Sequence, residues 1–283
     1  MIVIKLSGGL GNQMFQYAFG RALSLRYKQT LILDGSSYSK NNNNTKRKYL
    51  LNSFDIKAKH FSNRLLSGMF IFINSIFRLF LGKDIIVKEV LFYKYDNEIV
   101  ANKNKINYFD GFWQSYKYFS EYKNIIASDF TIRSNNKSFK EIDDLIVNTN
   151  SVSIHVRRGD YVGNKDYEVC SADYYQAAIN FFEEKYPDSV FYIFSDDVSW
   201  ASDNLKFKNR SEFVSDRGLS DAEELSVMSH CKHNIISNSS FSWWAAWLNN
   251  NVNKKVIMPY KWSNADDLQF LPDLLPKEWV IIK

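Results

Sequence analysis

The chain opens on a short apolar run, Ile2-Val3-Ile4-Lys5-Leu6, stopped by Ser7-Gly8-Gly9. A β-branched run ended by glycine predicts a buried strand. From Asn12 onward Phe15, Ala18, Phe19, Ala22, Leu23 and Leu25 recur at helical spacing, and Leu31-Ile32-Leu33, ended by Asp34, predicts a second strand. Strand, Gly-rich turn, helix and strand are the opening of a parallel α/β unit. Residues 41–44 predict a polar loop, and residues 60–130, weakly punctuated, read as a mixed and mostly helical region.

The pattern restarts at Ser151. Residues 152–156 predict a strand that ends in Arg157-Arg158-Gly159-Asp160, and residues 173–186 a helix closed by Pro187. Further strands end at Ser195-Asp196-Asp197 and at Ser215-Asp216. A helix over 221–231, a strand over 234–236, a helix over 242–248 and a strand over 256–258 follow. Alternating strands and helices with polar residues at the strand ends predict doubly wound sheets, which bind ligands beyond their carboxyl edges. The expected fold class is α/β, with two Rossmann-like domains facing across a cleft. Residues 1–140 form one, 150–265 the other, and 266–283 a C-terminal tail.

Composition changes this picture only at its margins. Hydrophobic residues make up 45% and charged residues 24%, the balance of a soluble globular chain. The net charge of +5 suits an anionic ligand or an acidic membrane surface. No arginine-rich run occurs, so nucleic-acid binding is not expected. Cys170 and Cys231 form no CxxC pair, and the opening run is too short for a signal peptide, so a reducing, cytoplasmic setting without disulfides is expected. Residues 65–81 approach membrane thickness, but Asn74 and Arg78 interrupt them. An amphipathic helix that packs on the protein or makes peripheral contact with a membrane face is expected, not a span.

Three clusters carry candidate chemistry. In His155-Val156-Arg157-Arg158-Gly159-Asp160, strand alternation sends His155 and Arg157 to one side at the carboxyl edge. A guanidinium there binds a diphosphate bidentately and neutralises charge as a nucleoside diphosphate leaves. The plainer alternative is a surface ion pair between Arg158 and Asp160. In residues 237–244, SNSSFSWW, a strand gives way to a helix whose first N–H groups and hydroxyls suit a phosphate. An ordinary N-cap by Ser239 or Ser240, with Trp243 and Trp244 in the core, is compatible with that. The third cluster, Gly8-Gly9-Leu10-Gly11-Asn12-Gln13, is neither a P-loop nor GxGxxG, and marks a tight turn that a ligand can approach closely.

In order along the chain, GGLGNQMFQYAFGRAL, HVRRGDYV, YIFSDD and MSHCKHNIISNSSFSWWAAWL resemble glycosyltransferase family 11, the α-1,2-fucosyltransferases. The resemblance runs from near residue 4 to about residue 260. It implies a GT-B-like fold, GDP-β-L-fucose as donor, and inverting transfer of L-fucose to a hydroxyl of a galactose-containing glycan through an α-1,2 linkage. It implies Arg157 on the donor diphosphate with His155 beside it, and Ser239, Ser240 and Phe241 at the helix-start phosphate site. Asn12 falls in the loop facing the donor. Glu224, four residues before Met228 where the family more often has Asp, is the implied guanine reader, with Asp216 and Asp196 as rivals.

The base that takes the acceptor proton is open among Asp160, His155 and the carboxylates Asp166 and Glu168. His155 is expected to be protonated beside a diphosphate. No Asp-x-Asp occurs, and the four histidines and two cysteines show no ligand spacing, so no metal and no cofactor is expected. The rival readings are transfer through an α-1,3 or α-1,6 linkage, and a non-catalytic GDP-sugar or glycan binder.

Overall fold

A computed structural model describes residues 1–39, 47–82, 84–101, 106–265 and 271–282. The loop expected at residues 41–44 lies outside them. The chain divides into two compact units, Met1–Thr131 with Phe270–Pro276, and Ile132–Gln269 with Lys277–Lys283.

Unit one is built on a five-stranded parallel sheet. The expected β1 (Ile2–Lys5), α1 (Leu10–Tyr27) and β2 (Leu31–Asp34) are present. The region read as mostly helical does contain the helices α2 (Arg64–Leu81), α3 (Asn97–Ala101) and α4 (Lys123–Asp129). It also supplies β3 (Lys59–Phe61), β4 (Ile86–Lys88) and β5 (Asn107–Asp110), giving the order β3-β2-β1-β5-β4. These strands are three or four residues long, too short to show a period of their own. Neighbouring strands stabilise them: Ile2 pairs with Asn107 and Ile4 with Phe109. Helix α1 lies close on the sheet because Gly20 has no side chain. A Cβ there would stand 2.5 Å from Ile4 Cγ1 and 2.8 Å from Leu31 Cδ1.

Unit two carries a six-stranded parallel sheet in the order β11-β10-β9-β6-β7-β8. Its strands are β6 (Asn150–Val156), β7 (Ser189–Ser195), β8 (Ser211–Phe213), β9 (His233–Ile235), β10 (Val256–Pro259) and β11 (Val280–Ile282). The helices α5 (Lys137–Val147), α6 (Ala172–Lys185), α7 (Val198–Asn204), α8 (Asp221–His230) and α9 (Ser240–Leu248) connect or precede them. Trp243 and Trp244 are fully buried, and Trp243 packs on Trp279 with ring centroids 5.7 Å apart.

The C-terminal residues are not a tail. Leu271–Leu274 belongs to unit one, where Asp273 accepts from Tyr95 N at 2.8 Å, and β11 then pairs with β10. The expected boundary moves as well, because α5 packs with unit two and places the division at Thr131. Cys170 and Cys231 are free thiols.

Candidate active site

In the second sheet β6 leads to β7 on one side and lies against β9 on the other. Strand order reverses at β6, and a doubly wound sheet opens a ligand crevice at the carboxyl ends of the two strands flanking such a point. The loop after β6 holds Arg157 to Asp160, and the loop after β9 holds Ser237 to Ser239. Two of the three sequence clusters therefore meet at one strand-end crevice.

His155 is buried at the end of β6, its Nδ1 2.9 Å from Ser237 Oγ and its ring centroid 5.3 Å from that of Phe241. Burial, with the Arg157 charge beside it, lowers its pKa to about 3. The ring is thus neutral at physiological pH. Both causes, desolvation and the Arg157 charge, act against the protonated form expected beside a diphosphate.

Arg157 donates from one nitrogen to Asp196 Oδ2 at 2.8 Å and from another to Asp160, with its guanidinium 5.5 Å from the Tyr161 ring centroid. Asp196 also accepts from Arg158 N at 2.7 Å. Gly159 makes room for this, since a Cβ there would meet Asp196 Oδ2 at 2.5 Å. Asp196 therefore positions Arg157. The expected pair between Arg158 and Asp160 is also corrected. Arg158 turns the other way, donating to Asp197 Oδ2 at 3.1 Å and stacking 4.2 Å over Trp200. Asp160 is exposed and paired with Arg157.

This geometry separates the two arginines. Arg158→Ala is expected to cost about 1 kcal/mol of stability by losing a partly exposed ion pair and a cation–π contact, and to change transfer by less than threefold. Thermal denaturation and steady-state kinetics check it; a loss of transfer comparable to that of an Arg157 variant would show the assignment reversed.

Ser239 caps α9, its Oγ accepting from Phe241 N at 3.3 Å, with Ser240 as the first helical residue. Ser237 and Ser242 bind each other and the loop backbone, so the serines hold the helix start in place. Asn238, which sequence reading passed over, ties the crevice together. Its Nδ2 donates to Tyr167 O at 3.0 Å and Trp262 O at 2.9 Å, while its Oδ1 accepts from Cys170.

Glu224 lies in the first turn of α8, near the ends of β7 and β8. Its neighbour Glu223 is consumed by a capping box with Ser220 and by bonds from Ser134 and Asn136. The Ser-x-x-Glu spacing was the signal that tells the two apart. Glu224 keeps company with Ser215, which hydrogen-bonds it, and with Asp221 and the exposed Asp216; burial foremost raises its pKa to about 7. Ser215 Oγ accepts from Ser195 N at 2.9 Å, so Glu224 is linked to the end of β7.

Asn12 sits in unit one, in the first turn of α1, where its Oδ1 accepts from Gln114 Nε2 at 2.8 Å. Gly8 adopts φ +79°, and a Cβ on it would meet Asn12 Nδ2 at 2.5 Å. Gln16 fixes the same turn through Ser7 N and Gly111 O. Glu89 was also missed by sequence reading. It accepts from Phe112 N at 2.6 Å and Trp113 N at 3.1 Å, and burial raises its pKa to about 7. It braces the turn that presents Gln114 to Asn12. A separate cavity of about 580 Å³ in unit two is lined by Glu168, Tyr174, Tyr260 and Lys261 among others, and includes neither Arg157 nor Glu224.

The matched family model, glycosyl transferase family 11, spans residues 1–283. The chain belongs to this family. It is 36% identical over 298 aligned positions to the alpha-1,2-colitosyltransferase of Escherichia coli, covering 100% of this chain and 99% of that relative. With the O-antigen biosynthesis glycosyltransferase WbnK of Escherichia coli it shares 34% over 285 positions, 91% of this chain and 93% of the relative. Similarity to galactoside alpha-(1,2)-fucosyltransferase 2 of Gorilla gorilla gorilla is 28% over 152 positions, half of this chain and 44% of the relative. In fold it matches Arabidopsis thaliana FUT1, solved as the R284K mutant in complex with GDP. That match has TM-score 0.54 and 12% identity, over 90% of this chain and 69% of the other. The family 11 chain is a fucosyltransferase-like glycosyltransferase of the GT-B-like α/β class.

Proposed function

We propose that this family 11 chain transfers a 6-deoxy-L-hexose from its GDP-activated form to a galactoside hydroxyl, with inversion, forming an α-1,2 linkage. L-fucose is the first candidate sugar. The observation that carries the reading is the placement of Arg157 and the α9 start on the two strands that flank the reversal of the sheet. A leaving diphosphate needs positive potential at that point. The guanidinium and the helix N-terminus supply it. Colitose is the 3-deoxy counterpart of L-fucose, and the full-length similarity to a colitosyltransferase favours it as the second candidate.

In this reading Arg157 exchanges the exposed Asp160 for the diphosphate, while Asp196, anchored by Arg158 N, keeps the guanidinium aimed. Neutral His155, held by Ser237, offers a ring nitrogen without repelling Arg157. Glu224 accepts from guanine N1–H and the exocyclic amine. The test is to offer GDP-fucose and GDP-colitose separately with a panel of galactosides, and to determine the linkage and anomeric configuration of any product by NMR. Release of GDP without a glycoside product, or nucleotide binding alone, would leave the chain a binder or hydrolase and sink the proposal.

Glu224 makes GDP binding pH-dependent in a defined sense. Its pKa is raised to about 7, so protons compete with guanine below that value. Affinity for GDP is expected to rise from pH 6 to pH 8 and then level off. In Glu224→Gln the amide accepts once and cannot accept twice, a loss of about 1–3 kcal/mol at pH 8. The gap between the two proteins should close toward pH 6, where the wild-type carboxyl is protonated too. The GDP phosphate titrates in the same range but equally in both, so calorimetric titration of the pair isolates Glu224. A gap that stays constant with pH would move the guanine contact to Asp216.

We further propose that transfer needs no divalent metal, since Arg157 and α9 take the place that a cation holds beside an Asp-x-Asp motif. Activity is expected to persist in EDTA within about twofold; loss on chelation with recovery on adding Mg²⁺ or Mn²⁺ would make Asp196 the first ligand to test.

A further inference from the structure

Helix α2 carries a face that the fold does not use. Its inner side holds Phe70, buried against Val3 and Tyr108 with Phe61 and Ile86 around them. Asn74, on the same side, accepts from Ile85 N at 2.7 Å and Ile86 N at 2.9 Å. The asparagine that interrupts the apolar run in sequence is thus a tether to β4. On the opposite side Leu65, Met69, Phe72, Ile76 and Leu79 recur four and three residues apart, and all are exposed. Leu65 is 82% exposed, Phe72 66%, Leu79 79% and, beside the stripe, Phe80 76%. An apolar stripe of this length left in water marks an interaction surface.

We infer that this face docks on an anionic lipid bilayer, with α2 lying in the interface plane. Charge selects that partner. Between Asp55 and Asp84 the sequence has no acidic residue, while Lys57, Lys59, Arg64, Arg78 and Lys83 are basic. Arg64 and Arg78 are exposed, at the first turn of the helix and near its last. Apolar face and basic flanks together are the composition of an interfacial helix on anionic headgroups.

A second copy of the chain fits less well. The face extends past a two-helix seam to Leu66 and Phe80, and an antiparallel partner would set Arg64 against Arg78 with no carboxylate in either helix. Crossing the bilayer is not the alternative, since no described helix is long and apolar enough to span it. The docking requires no assumption about donor or linkage.

Flotation of the whole protein with phosphatidylcholine vesicles, with and without phosphatidylglycerol, tests it. Wild type should float with the anionic vesicles, less at high salt, and little with neutral ones. Phe72→Glu/Leu79→Glu should lower the bound fraction at least tenfold, and Arg64→Glu/Arg78→Glu should remove the preference for anionic lipid. Both variants alter exposed positions in unit one, so the far-UV circular dichroism and thermal transition should match wild type and report that folding is intact. Wild type left in the aqueous fraction, or either variant floating unchanged, overturns the inference. A wild-type dimer by light scattering that the apolar variant dissolves, with vesicles unbound, would reassign the face to a second copy.

Discussion

Arg157→Ala is expected to abolish most transfer, lowering kcat/KM by about 3–5 kcal/mol in barrier while the protein stays folded. The loss exceeds that of a single neutral donor, because two carboxylates share this guanidinium. With Arg157 gone, Asp196 and Asp160 remain beside the proposed diphosphate site and add repulsion to lost attraction. Folding is spared because Asp196 still accepts from Arg158 N. Arg157→Lys should recover little, since one ammonium cannot hold Asp196 and a diphosphate in a planar fork. Steady-state kinetics beside circular dichroism decide the matter. Near-normal kcat/KM in a folded Arg157→Ala protein would remove Arg157 from the reaction.

Asn238→Ala is expected to cost about 2–4 kcal/mol of stability and to lower activity with it. The side chain is buried, and its amide is the donor to two carbonyls from segments far apart in sequence, Tyr167 O and Trp262 O. Alanine would leave both acceptors without that donor and release the loop that follows Arg157. Denaturant unfolding at constant m-value measures the stability term, and donor KM measures the loosened loop. Asn238→Asp, which keeps the volume and loses the donor, should fall close to alanine. If it behaves as wild type, the two carbonyl bonds do not hold the crevice.

The candidate site was partly legible because its motifs are local. HVRRGD and SNSSFSWW each end one strand, and a residue at a strand end in an α/β sheet falls at the carboxyl edge whatever the rest of the chain does. Partnership was not legible. Alternation sent His155 and Arg157 to one side, but which carboxylate each arginine takes depends on β7 lying beside β6. The register that sets His155 opposite Phe194 brings Asp196 to Arg157 and Asp197 to Arg158, whereas sequence distance pointed Arg158 to Asp160. His155 illustrates the same limit for charge, because the burial that lowers its pKa is a property of the packed sheet and not of the neighbouring residues.

By itself the sequence determined the α/β class, the strands that carry the two motif clusters, the α1 turn and the family, since each rests on short-range pattern or contiguous residues. Tertiary structure alone decided β3, β4 and β5, which are too short for periodicity and exist through pairing, β3 with β2, β5 with β1 and β4 with β5. It decided that residues 271–282 return to both units, because Asp273 finds Tyr95 and Trp279 finds Trp243 across long stretches of chain. It also decided the fate of α2. An apolar run reads the same whether it is buried or not, and only the neighbours of Phe70 and Asn74 show which side the fold covers. Local pattern reports what a segment prefers; contacts between distant segments determine which of its faces, charges and ends are used.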